Sequence, residues 1–165
     1  MTASPFFAVA GAIARRNLKH AFKNPALLLP SVLFPLIFLV AFAGGLSGIG
    51  KVPGFDFPTG YTAFQFVFVF LQSACFGGLF TGFAIGADFE SGFAQRLLVS
   101  APERTGILAG YVISGLVRFA ATGTVVTVAA LLAGMQVDGS GVEVVGLVGL
   151  GVIINVIGTL WSTGL

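Results

Sequence analysis

The length of its charge-free stretches constrains this chain more than any other feature. No Asp, Glu, Lys or Arg falls within residues 24–50, 57–87, 119–137 or 144–165, which are runs of 27, 31, 19 and 22 residues. A helix rises ~1.5 Å per residue, so about 20 apolar residues cross a bilayer core. Four spans therefore fit, at 25–49, 61–87, 107–135 and 144–165. Only 8% of the 165 residues are charged, whereas a soluble domain carries roughly 25%. So few charges cannot cover a globule of this size in water, and lipid must be the solvent for much of the surface. The expected fold is an all-α integral membrane protein, with an interfacial helix followed by four transmembrane helices in one domain.

Details inside the runs agree with helices. Phe64, Phe66, Phe68 and Phe70 alternate as a strand would, but a membrane β-barrel needs that alternation in every segment of about ten residues. Pro30 and Pro35 are tolerable in a span because neighbouring helices can satisfy the freed carbonyls. Gly78, Gly82 and Gly86 recur every four residues, a small-residue stripe suited to close helix contact in lipid. The single cysteine, Cys75, reads as an apolar packing residue. Ala41-Phe42-Ala43 resembles a signal-peptidase site, yet the apolar run before it is long, so the segment is read as a retained span.

Residues 5–24 read as a basic amphipathic helix. Arg15, Lys19 and Lys23 repeat every four residues, with Arg16 and His20 beside them. Phe6, Val9, Ala10, Ile13, Ala14, Leu18, Ala21 and Phe22 fall on the other face. Such a helix suits the lipid headgroups; the alternative is an extension of the first span that carries orientation charges. Lys and Arg near span ends mark the cytoplasmic side. The leader holds four, and Arg96 and Arg104 add two more in the 88–104 loop. The opposite loops, 50–60 and 136–143, hold only Lys51. The expected location is the cell membrane, multi-pass, with the amino terminus and the 88–104 loop in the cytoplasm. A net charge of +2 is too small to suggest nucleic acid.

Gly45-Leu46-Ser47-Gly48-Ile49-Gly50-Lys51-Val52 imitates a phosphate-binding loop, but Val52 stands where a magnesium-holding Ser or Thr is needed. No ATP site or other cofactor is expected on this chain. One histidine and six acids, all outside the spans, leave little for catalysis, so an enzyme is not expected. Arg118 is the charge within the third span. Gly106, Gly110 and Ser114 precede it at four-residue steps, so its face should meet protein or a cavity. Arg118 and Ser114 are thus candidates for the translocation path or for assembly, with snorkelling toward the cytoplasm as the alternative for Arg118.

Glu90-Ser91-Gly92, Arg96-Leu97-Leu98 and Ala101-Pro102-Glu103-Arg104, behind a basic leader and a proline-bearing span, resemble the membrane subunits of ABC type-2 transporters. The likeness is closest to the daunorubicin-resistance-type drug exporters. It implies a permease that pairs with a separate cytoplasmic ATPase, which holds the ATP and magnesium, and that forms a homodimer or a heterodimer with another permease. The leader would be the interface helix. The 88–104 loop would couple to the ATPase, with Phe93, Leu97 and Leu98 as apolar anchor and Glu90, Gly92, Arg96, Pro102, Glu103 and Arg104 around them. Such permeases usually have six spans, and this chain resembles the first four, so it is expected to be incomplete at its carboxyl end. Drug-like amphipathic compounds would be the cargo. A polysaccharide or lipid exporter, a non-transporting scaffold and an ion-coupled carrier are the other readings, although the spans lack the acids that usually carry protons.

Overall fold

A chain in lipid must satisfy every backbone N–H and C=O internally, and the apolar runs do so as helices. The computed structural model describes residues 5–45, 48, 52, 60–101 and 103–164. Its helices are α1 (Pro5–Lys23), α2 (Pro25–Gly45), α3 (Gly60–Glu90), α4 (Phe93–Ser100), α5 (Arg104–Leu132) and α6 (Gly141–Ser162). α3, α5 and α6 are long and apolar enough to cross a membrane; the described apolar stretch of α2, Leu29–Gly45, is shorter. The protein is an all-helical membrane protein.

Local chemistry sets the joints. Asn24 separates α1 from α2: its N–H donates to the His20 carbonyl (3.0 Å), and its side-chain oxygen accepts from the Ala26 N–H (3.2 Å). Pro25 then opens α2, where a missing N–H costs nothing. α2 continues through Pro30 and Pro35. At the end of α5, Gly134 takes φ +86°, its N–H donates to Leu131, and the Met135 N–H reaches back to Ala130. That left-handed stop directs Met135 onto Val126 and Ala130. Ser140 and Glu143 form a reciprocal capping box at the start of α6. The 107–135 span is thus a helix over Arg104–Leu132 with a turn after it, and α6 starts at Gly141 rather than 144. The loop at 50–60, with Lys51, lies outside the described residues apart from Val52 and Gly60.

α3 is the hub. α6 runs parallel to it in close contact, Gly77 lying beside Asn155, Gly78 beside Gly158 and Thr159, and Gly82 beside Ser162. A Cβ on Gly78 would sit 2.7 Å from the Asn155 carbonyl oxygen and 2.8 Å from the Thr159 nitrogen. Both are backbone atoms that cannot rotate away. The same construction for Gly86 meets nothing within 4 Å, because α6 ends at Ser162, opposite Gly82. α5 packs antiparallel to α3, with Phe70, Ala74 and Phe119 in one cluster. α2 lies against both, Phe34 meeting Phe76 of α3 and Leu39 buried with Val69 of α3 and Val126 of α5.

α1 is amphipathic as expected, but its apolar face is spent on protein. Ala10, Ile13, Ala14, Asn17 and Ala21 are buried, and α1 packs along the first half of α5. Val9 meets Gly106, while Ala10 and Ile13 meet Gly110. Phe7 and Phe22 remain more than half exposed.

Candidate functional site

Where α3 ends, three helices meet at one carboxylate and a fourth rests on the arginine that grips it. α3 runs to Glu90, so Asp88, assigned to the loop by sequence, sits on its last turns and is buried. Both terminal nitrogens of Arg16 donate to it, Nη1 to Oδ2 and Nη2 to Oδ1, each at 2.8 Å. The Tyr111 hydroxyl of α5 donates to Oδ2, also at 2.8 Å. The Arg16 guanidinium carbon lies 3.7 Å from the centre of the Phe93 ring on α4. A flat, bidentate cation stacked on an aromatic ring uses every property that distinguishes Arg from Lys. The hydrogen bond to Asp88 holds the Arg16 guanidinium above its ordinary pKa, against the opposing effect of burial.

α4 hangs from this joint by a short turn. Ser91 and Gly92 form it, with Gly92 at φ +70°, and α4 then runs eight residues to an extended Ala101. Phe93, Ala94 and Leu97 turn inward; Leu97 packs on the cluster of Ile13, Ile85, Ile107 and Tyr111. Arg96, Leu98 and Val99 turn outward, and Val99 is 89% exposed. Of the three residues read as an apolar anchor, Leu98 alone is on the exposed face, while Phe93 and Leu97 contact the chain itself. Glu90, Glu103 and Arg104 are exposed around α4. Pro102 lies outside the described residues.

The basic face of α1 is divided. Arg16 is taken by Asp88, whereas Arg15, Lys19, His20 and Lys23 are exposed and line, together with Arg16, an open hollow on the helix surface. Among the described residues the Arg16–Asp88 pair is the salt bridge.

A second polar centre lies in the middle of the bundle. Arg118, at the midpoint of α5, is 7% exposed and donates to the Thr81 hydroxyl of α3. Thr81 in turn donates to the Gly77 carbonyl (2.9 Å). Asn155 of α6 is fully buried and its amide nitrogen donates across to the Ala74 carbonyl (2.9 Å). A Cβ on Gly115 would stand 3.1 Å from each of Asn155 Oδ1, Thr159 Oγ1 and Thr81 Oγ1, so this glycine lets three helices bring their polar atoms together. Arg118 Nε and Asn155 Oδ1 have no hydrogen-bond partner. Ser114, 1% exposed, donates to the Tyr111 carbonyl of its own helix. Gly106, Gly110, Ser114 and Arg118 all lie on buried faces of α5; Arg118 faces protein, not lipid.

Sequence reasoning missed Asp88 as a partner, Tyr111, Thr81 and Asn155. The signal for Asn155 was present, since a lone amide in an apolar helix should face protein. No signal marked the Arg16–Asp88 pair, whose members are 72 residues apart. Among the described residues no group of three or more His, Cys, Asp or Glu gathers that could hold a metal ion. No family model matches the chain, and no curated protein or solved structure matches it either.

Proposed function

We propose that this chain is the membrane permease subunit of an exporter driven by a separate ATPase, which binds the ATP and magnesium. The observation that carries the reading is α4: a short amphipathic helix between two long apolar ones, lying at the same end of the bundle as the basic helix α1. Its outward face offers Leu98 and Val99, edged by Arg96, Glu90, Glu103 and Arg104. An exposed apolar patch with a charged rim is the form a protein contact takes. That end carries six of the Lys and Arg side chains around it, which supports a cytoplasmic side and an ATPase as the partner, in the plasma membrane. The sequence motifs of the 88–104 segment support the ABC type-2 assignment, a dimer of permeases, and drug-like amphipathic cargo.

The test is co-expression with an ATPase of that exporter class, followed by pull-down and stimulated ATP hydrolysis. Val99→Asp should insert normally yet lose association or stimulation about tenfold or more, because apolar anchors dominate such contacts. Normal binding and stimulation by Val99→Asp would remove α4 as the contact. Unchanged drug accumulation across a broad panel, with the complex assembled, would remove the drug-export reading.

A further inference from the structure

α4 has little else to hold it. It is joined to α3 by a two-residue turn at a left-handed glycine, and to α5 through the extended Ala101 and Glu103. Its amino-terminal cap, Gly92, offers no side-chain hydrogen bond. Its inward contacts are Ala94, Leu97 and the Phe93 ring lying against Arg16. We propose that Arg16 is a positioning residue that fastens α4 to α1, so that these two helices move as one unit hung on the carboxylate of Asp88.

The arrangement supports this in three ways. One guanidinium touches α3 through Asp88 and α4 through Phe93, while its backbone belongs to α1. The carboxylate it grips is itself fixed from α5 by Tyr111, so the joint cannot swivel about a single bond. One turn earlier, Ile13 is pressed against Gly110, where an added Cβ would come within 2.7 Å of it, so α1 cannot yield to a pull on Arg16 without leaving α5. A displacement of α4 is therefore carried to the α1–α5 seam as well as down α3. Arg15, next in sequence, is exposed and makes none of these contacts.

The test uses the whole chain in lipid nanodiscs, with hydrogen exchange read by mass spectrometry. The parent is compared with Arg16→Lys, Phe93→Leu and Arg15→Leu. Arg16→Lys keeps the charge but loses the fork and the flat stacking surface, and should speed exchange of the α4 amides by roughly tenfold. Phe93→Leu keeps the apolar volume and removes the ring, and should speed it several-fold. The double variant should add little to Arg16→Lys alone, because both remove one contact. Amides in the middle of α3 and α6 should keep the parent's protection, as should α4 in Arg15→Leu. Unchanged α4 exchange in Arg16→Lys overturns the proposal, and so does a rise spread evenly along all the helices. No ATPase is present in these samples, so the outcome is independent of the permease reading.

Discussion

Replacing Gly78 by alanine tests whether glycine, and not mere smallness, sets the α3–α6 spacing. The new Cβ would lie 2.7 Å from the Asn155 oxygen, 2.8 Å from the Thr159 nitrogen and 2.9 Å from the Gly158 carbonyl carbon. All are backbone atoms, so α6 must move outward by several tenths of an ångström. Overpacking of that kind costs about 1–3 kcal/mol. The shift also stretches the Asn155 amide bond to Ala74 (2.9 Å) and the Ser162 hydroxyl bond to Gly78 (3.3 Å), each worth ~0.6 kcal/mol in a membrane bundle. Together the loss should be about 2–4 kcal/mol. Gly86→Ala supplies the internal control: nothing lies within 4 Å of its Cβ, and trading glycine for alanine inside a helix gains up to ~1 kcal/mol. The assay is reversible unfolding of the reconstituted protein by an anionic detergent, followed by the fluorescence of Trp161, the single tryptophan. Equal unfolding midpoints for the two variants would refute the close-contact argument, whatever their absolute stability.

Two other outcomes follow from the same structure. Arg118→Leu should lower stability by ~1–3 kcal/mol in that assay, through the lost hydrogen bond to the Thr81 oxygen and the lost packing of a buried side chain, while Arg118→Lys, which still carries a donor, should lose less; unfolding of both at the parent's midpoint would place the arginine outside the bundle's energetics. For topology, single cysteines at Ser91 and Asp138 in a Cys75→Ala background should react with an impermeant thiol reagent in intact cells only at position 138, and labelling at 91 alone would invert the orientation.

The helices themselves were legible because a long apolar run without strand alternation is stable in lipid as a helix; α3 and α6 fall largely on charge-free runs, while only the second half of α5 does, with Arg118 at its midpoint. Their faces were harder to read. The leader's apolar stripe looks the same whether it rests on headgroups or on a neighbouring helix, so its docking onto Gly106 and Gly110 left no separate mark. Gly78, Gly82 and Gly86 form one stripe by spacing, yet the partner helix faces only the first two. Phe93, Leu97 and Leu98 share an apolar pattern, but Leu98 is turned about 100° from Leu97 on the helix, enough to put one inside and the other out. The Arg16–Asp88 joint was invisible for a different reason: it exists only after α1 has packed on α5, and no local rule links residues so distant.

The parallel seating of α6 on α3 also sets an order of events during synthesis. Asn155 and Ala74, which bond across that seam, are 81 residues apart. At about 5–20 residues per second, α3 is made roughly 4–16 seconds before the helix that fits its glycine face exists. Late in that interval, once α5 has been made, α3 and α5 can pair through Phe70 and Phe119 and α1 can close on Asp88, but Gly77, Gly78 and Gly82 stand without their partner. The end of the bundle that bears α4 can therefore assemble before α6 reaches the glycine face of α3.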